Sequence, residues 1–428
     1  MVNPLTAVGN SEQDIISLDV FSDSVPGITQ QRYTITRWLE YTYVENFLTP
    51  SDSWSFHLDG DILTGDARKI LTPGSGVQLS INGSVQSTGT IECVDPTNDR
   101  GKGTTVVVSG FDLLKTMVCG GADPAWQFKE SQTLYDIVST VAGEYGWQVF
   151  NEDNSGNVTV QTGATRGLKT SAKGRILKKA QAHQLKPYPG ETAWGFLSRV
   201  LQRFGVWLWP SADGSYLILG QPTFAQDPSY ALQRLIGVDG GEVRGNNIIS
   251  GGVKIDAAEQ PSVILASGCG GGGEFEHATY RSALINPLIS ADISKVTARY
   301  KSAATNSSGV VFKTMPAPPG GWPFPAFNWP TAQPIYMHDD ESHTQVELDT
   351  FVQREMVLRL RKLVTGKFTI EGHTLGGRPI AVDTIVDVQD DRSNFHGPMW
   401  IIGRTFKKNR EGGTETQIDT ILPGTLQF

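Results

Sequence analysis

A segment that occurs twice constrains this chain more than any other feature. Thr133-Leu-Tyr-Asp-Ile-Val-Ser-Thr-Val-Ala-Gly-Glu-Tyr-Gly-Trp-Gln-Val149 aligns without a gap on Thr192-Ala-Trp-Gly-Phe-Leu-Ser-Arg-Val-Leu-Gln-Arg-Phe-Gly-Val-Trp-Leu208. Thr133 is placed to cap a helix, with Asp136 completing a capping box. Leu134, Ile137, Val138, Val141 and Tyr145 then recur at helical spacing as one apolar stripe. The second copy repeats it with Ala193, Phe196, Leu197, Val200, Leu201 and Phe204. Gly146 and Gly205 follow, where a left-handed helix end suits glycine. Each copy then leads toward a short strand, Asn157-Val-Thr-Val160 and Tyr216-Leu-Ile-Leu219. Neither unit can bury its apolar face alone, so the two are expected to share a core. No reactive residue recurs at matching positions, which points to a scaffold before an enzyme.

The chain of 428 residues is long enough for several domains. Its 47 glycines and 19% charged residues, with short runs of Val, Ile and Thr, favour many short strands and tight turns. A net charge of −8 argues against a general nucleic-acid surface, which needs clustered Lys and Arg. No signal-peptide pattern opens the chain, and no stretch reaches the ~18 apolar residues of a membrane span. A soluble, unexported protein with no stable membrane insertion is expected. Cys93, Cys119 and Cys269 are odd in number, far apart and in no CxxC pair. They are expected as small buried hydrophobes in a reducing compartment.

Residues 1–29 read as an N-terminal arm, rich in Ser, Asp and Gly. Residues 30–118 read as strand after strand: Arg32–Arg37, Trp54–Leu58, Val77–Ile81, Thr88–Val94 and Thr104–Ser109. Asn82-Gly83 is a strong hairpin signal among them. This is the pattern of a first small β-barrel. The duplicated middle domain spans 119–230, and 231–428 echoes the early strands as a second barrel. Lys367–Gly372 mirrors Ser55–Gly60, Thr384–Val388 mirrors Val77–Ile81, Met399–Gly403 mirrors Thr88–Glu92, and Thr414–Ile421 mirrors Thr104–Ser109. The second barrel begins near Val243–Ile255 and is interrupted by an irregular Gly, Pro and aromatic loop over 268–343, whose prolines forbid regular structure. Thr344 opens a helix through Phe351, Met356, Leu360 and Leu363 that leads back to strands. The fold class is α+β, mainly β, with two related small β-barrel domains separated by a duplicated helix-strand insertion.

Three stretches resemble the baseplate hub proteins of Mu-like contractile-tailed phages, related to the hub region of type VI secretion spike proteins. They are the early strands ending in Val108-Ser-Gly-Phe-Asp112, the paired motifs Gln132–Ile137 with Glu144–Gly146 and Glu191–Arg199 with Arg203–Gly205, and the late strands ending Gly412–Thr416. The resemblance covers about 30–265 and 335–425. It implies a homotrimer whose two barrels per subunit make a pseudo-sixfold ring, adapting a sixfold tail tube to a threefold central spike. Its implied partners are the tail tube protein, the central spike protein and other baseplate proteins, with DNA only in transit through the channel. Its implied location is the virion baseplate, after assembly in the host cytoplasm. No catalytic, cofactor or metal residue is implied.

Two other classes compete with this reading. Ten tryptophans, and the loop around Trp322 and Trp329, suit a carbohydrate-binding module. A wall hydrolase needs two carboxylates, one held protonated, for which Glu191 beside Trp194, or Asp59 and Asp61, are nominees. Capping and turn roles explain those acids more simply. His338-Asp-Asp-Glu-Ser-His343 carries metal-ligand types without HExxH spacing. Gly268-Cys-Gly-Gly-Gly-Gly273 lacks the Lys and Ser/Thr of a phosphate loop.

Overall fold

Apolar–polar alternation makes strands the larger share of the regular structure in this chain. The structure is a computed structural model that describes residues 14–22, 31–63, 67–99, 103–128, 132–151, 186–202, 206–220, 222, 226–268, 280–302, 312–315, 317, 322, 326–339, 342, 345–409 and 413–425. In β1 (Ile16–Ser22), Ile16, Leu18 and Val20 point inward, as Ile35 does in β2 (Gln31–Ile35). The N-terminal arm expected over 1–29 therefore contains a core strand. Its alternating Ile, Leu and Val outweigh the polar residues around them. In β3 (Glu40–Asn46) the buried residues are Tyr41 and Tyr43; in β4 (Ser53–Asp59) they are Trp54, Phe56 and Leu58. β5 (Gly76–Ile81) turns through Asn82 and Gly83, at φ 50° and 79°, into β6 (Ser84–Asp99). Positive φ at both positions is what a tight primed hairpin turn requires. β7 (Gly103–Asp112) follows.

The duplicated segment forms two helices over one core. Thr133 Oγ1 accepts from Asp136 N at 3.1 Å, and Asp136 Oδ2 accepts from Thr133 N at 2.8 Å, closing the capping box of Leu134–Glu144. In the second helix, Ala193–Gln202, Thr192 Oγ1 accepts from Gly195 N at 3.0 Å. Leu134, Ile137, Val138 and Val141 pack with Phe196, Leu197, Val200 and Leu201. Three strands complete the unit: β8 (Gln148–Asn151), β9 (Trp207–Pro210) and β10 (Tyr216–Gly220). β10 is central, parallel to β8 and antiparallel to β9. Asn157–Val160, Phe204 and Gly205 lie outside the described residues.

The last part opens with β11 (Tyr230–Arg234) and β12 (Ile248–Ile255). β13 (Val263–Gly268) and β14 (Tyr280–Ile285) follow, with β15 (Ile289–Ser290), β16 (Phe312–Thr314), β17 (Phe327–Asn328) and β18 (Pro334–Asp339). The interval 268–343 is thus less irregular than its prolines suggest. A four-stranded sheet ordered β16-β14-β13-β18 runs through it. Val263 and Leu265 pack on one side of that sheet, while Ile264 and Ala266 join the main core. An apolar run buried on both faces shows no alternation to read. The helix Gln345–Leu363 lays Leu348, Val352, Met356, Leu360 and Leu363 into the main core. Thr344, read as its cap, lies outside the described residues. β19 (Val364–Glu371), the short pair β20 (Thr374–Leu375) and β21 (Arg378–Pro379), β22 (Thr384–Asp390), β23 (Phe395–Asn409) and β24 (Gly413–Ile421) end the chain.

Early and late strands join in one 13-stranded sheet, ordered β12-β19-β24-β23-β3-β4-β7-β6-β5-β1-β2, with β22 on β23 and β11 on β22. The two small barrels expected do not close as separate barrels in the strand pairing of the described residues; β3 crosses to β23 and fuses the two sets. Within the sheet the order β3-β4-β7-β6-β5 recurs as β12-β19-β24-β23-β22. Even the irregularity recurs. The β6–β7 register shifts between Ile91 and Cys93, opposite Gly110 and Ser109; the β23–β24 register shifts between Ile401 and Gly403, opposite Thr420 and Asp419. The bulged residues are Glu92 and Ile402. This equivalence sets Met399 with Gly89, one residue from the match made on sequence, because alternation alone does not locate a bulge.

Candidate functional site

The acids nominated for catalysis have structural duties. Glu191 receives Arg199 Nε at 2.9 Å, Arg199 Nη2 at 2.8 Å and Tyr188 N at 2.8 Å. Burial would raise its pKa, but the Arg199 hydrogen bonds outweigh that and hold it below its usual value. An acid kept ionised in this way is no proton donor. Trp194 packs against the middle core, and Asp59 ends β4 exposed. The side chain of Asp61, together with Asp340, Glu341 and His343, lies outside the described residues. His338 Nδ1 is 2.9 Å from Ser267 Oγ, and Asp339 accepts from Ser342. Among the described residues no three His, Cys, Asp or Glu side chains cluster as metal ligands do. Cys93 and Cys119, expected buried, are exposed free thiols, because Cys93 sits beyond the bulge on an uncovered strand and Cys119 ends a short helix.

Where β3 meets β23 the chain concentrates its polar chemistry. Arg404, 5% exposed, donates Nε to Glu45 Oε2 at 2.5 Å, Nη1 to Gln86 Oε1 at 2.8 Å, and a further bond to the Ile380 carbonyl. Its guanidinium lies 4.7 Å from the Phe406 ring centroid and 5.8 Å from that of Tyr43. Tyr43 donates to Asp52 Oδ2 at 3.0 Å. Asp112 accepts from Ser51 Oγ at 2.6 Å and Asp52 N at 3.1 Å. Burial pushes the Asp112 carboxyl up to about 6, and burial with the Glu45 and Asp112 charges raises Asp52 well above the ordinary carboxylate value. The charges of Glu45 and Asp52 around Arg404 offset the burial that would otherwise lower its pKa, and hold it charged. On the same face of the seam, across the Phe406 ring, buried His373 contacts Tyr41 Oη at 2.5 Å and Thr416 Oγ1 at 2.9 Å, and burial lowers its pKa to about 4.

The middle unit docks onto the same seam. Phe47, just past β3, meets Trp207, Trp209 and Trp400 at centroid distances of 5.7, 5.2 and 5.3 Å. It thereby touches all three parts of the chain. Beside it a cleft of about 380 Å³ is lined by Asp52, Asp112, Trp147, Trp209 and Tyr216 among others. The sequence alone gave no sign of this seam, since Arg404 and Glu45 stand 359 residues apart.

A two-part sheet fused at a buried seam is the fold found in phage tail proteins. The chain is similar over 96% of its length to the 43 kDa tail protein of prophage MuSo2 from Shewanella oneidensis, with 16% identity, a TM-score of 0.65 and 99% of that chain covered. It is similar over 96% to the tail protein from Neisseria meningitidis MC58, with 17% identity, a TM-score of 0.62 and 98% covered. Prophage tail protein gp18 from Listeria monocytogenes EGD-e matches 95% of the chain at 11% identity and a TM-score of 0.50, with 94% covered. No protein-family profile matches the chain. No curated protein matches its sequence.

Proposed function

We propose that this chain is the structural hub of a phage-tail baseplate. Three copies form a ring that adapts a sixfold tail tube to a threefold central spike and encloses the channel through which DNA passes. The observation that carries this reading is the repeated, bulge-matched sheet unit: a chain presenting one edge motif twice lets three copies offer six near-equivalent positions. The units are residues 30–118, extended by β1, and 231–428, with 119–230 standing outside the ring. Its partners are the tube, the spike and other baseplate proteins, in the virion after assembly in the host cytoplasm, and it performs no catalysis. Light scattering on the purified chain tests this: a mass three times 46.5 kDa is expected, and a monomer at every concentration contradicts it.

One observation favours a second reading, glycan binding or cleavage in the seam cleft. There Trp147, Trp209 and Tyr216 flank Asp112, whose carboxyl titrates near 6. Peptidoglycan cleavage that is lost on Asp112→Asn supports this reading; no binding or clearing by the wild-type chain removes it.

A further inference from the structure

The bulge that repeats in β6 and β23 leaves one of the two strands with an empty side. Before its bulge, each pairs with the preceding strand: β6 with β5 through Ser84–Thr90, and β23 with β22 through Phe395–Ile401. Each also pairs with the following strand, β6 with β7 through Gly89–Asp99 and β23 with β24 through Trp400–Asn409. Beyond the bulge, Gly403–Lys408 of β23 takes up β3 on the vacated side. Beyond the bulge of β6, no strand among the described residues occupies that side, and Cys93 and Asp95–Asn98 are exposed. The strand equivalent to β3 is β12, since each is the antiparallel outer neighbour of its β4 or β19 counterpart. β12 pairs with β19 alone among the described residues, and its other edge carries Ile255, 49% exposed. Among the described residues there is thus an unpaired strand side and the strand shaped to fill it. They lie seven places apart in the sheet order and do not pair with each other among the described residues.

We infer that β12 of a second copy of this chain pairs antiparallel with Cys93–Thr97 of β6, reproducing between chains the β3–β23 pairing made within one. The pairs Phe56–Tyr41 and Phe368–Gly251 set β3 against β12, and the bulges set β6 against β23. The intrachain pairs Asn46–Gly403, Glu45–Arg404, Val44–Thr405, Tyr43–Phe406 and Thr42–Lys407 then transfer residue by residue. They become Asp256–Cys93, Ile255–Val94, Lys254–Asp95, Val253–Pro96 and Gly252–Thr97. The chemistry of the partners agrees with this register. Exposed Ile255 meets half-buried Val94, and exposed Lys254, whose Nζ holds Asp256 Oδ2 of its own chain at 2.7 Å, comes opposite the carboxylate of exposed Asp95. Main-chain bonds supply the affinity, as when any strand is added to an open edge. The joined edges differ, so copies add head to tail, and a threefold rotation between copies closes that contact into the ring of the hub reading.

This inference rests on the hub reading, and one experiment separates the two. In a Cys119→Ser, Cys269→Ser background, Asp256→Cys is expected to form an interchain disulfide with native Cys93 on mild oxidation, while Ile249→Cys forms none. Asp95→Lys is expected to weaken assembly about tenfold by setting like charges opposite each other, and the double variant Asp95→Lys, Lys254→Asp to restore it. A trimer that shows no such disulfide and ignores Asp95→Lys overturns the edge pairing and leaves the hub. A chain monomeric at every concentration overturns both.

Discussion

At the residue scale, the seam depends on one buried cation. Arg404 neutralises Glu45 and sits over Phe406 and Tyr43, so Arg404→Met leaves acids uncompensated and is expected to cost about 3 kcal/mol by chemical denaturation. Asp112 acts in the opposite sense. Its native pKa of about 6 exceeds the ordinary carboxylate value, so its contribution is greatest below pH ~4 and is lost as pH rises through about 6. His373, depressed to about 4, contributes above pH ~6.5 and loses that contribution as pH falls through about 4. The two slopes oppose each other, so the test is a difference between proteins. Relative to wild type, Asp112→Asn is expected to lose the stabilisation gained on moving from pH 6.5 to 4, read as Tm at each pH. Unchanged pH dependence contradicts the burial argument. None of these residues was legible in the sequence, because each owes its environment to a partner on another strand or in the other half of the chain.

At the element scale, alternation and capping served well where a strand or helix has one buried face. Trp54, Phe56 and Leu58 are buried as their spacing requires, and the Thr133 capping box is closed. Reading failed where the pattern was short or two-sided. β1 was submerged in a polar arm, and Val263-Ile-Leu-Ala266 is apolar on both faces. Two variants test these elements. Leu18→Ala, fully buried on β1, is expected to cost about 3 kcal/mol, and no loss contradicts its place in the core. Val141→Asp places an unpaired charge between the paired helices and is expected to unfold the middle unit, seen as lost helical circular dichroism. An unchanged spectrum and melt contradict the shared core.

At the scale of the whole molecule, the duplicated helices proved to be the more local of two repeats. They share a small core of their own, while the larger repeat runs through the sheet. Its strand order was legible in the echo of Lys367–Gly372 on Ser55–Gly60. The fusion of both sets through β3 was not, because strand pairing across the chain leaves no local mark. Phe47 ties the three parts together, and Phe47→Ala is expected to cost about 3 kcal/mol and loosen the middle unit, read as faster proteolysis between residues 119 and 230. The central claim is that two equivalent sheet units per chain build a ring, and electron-microscope class averages of the purified protein test it most directly. The account predicts a threefold ring with six similar lobes around a central hole. Single-lobed monomers, or twofold particles with no hole, contradict it.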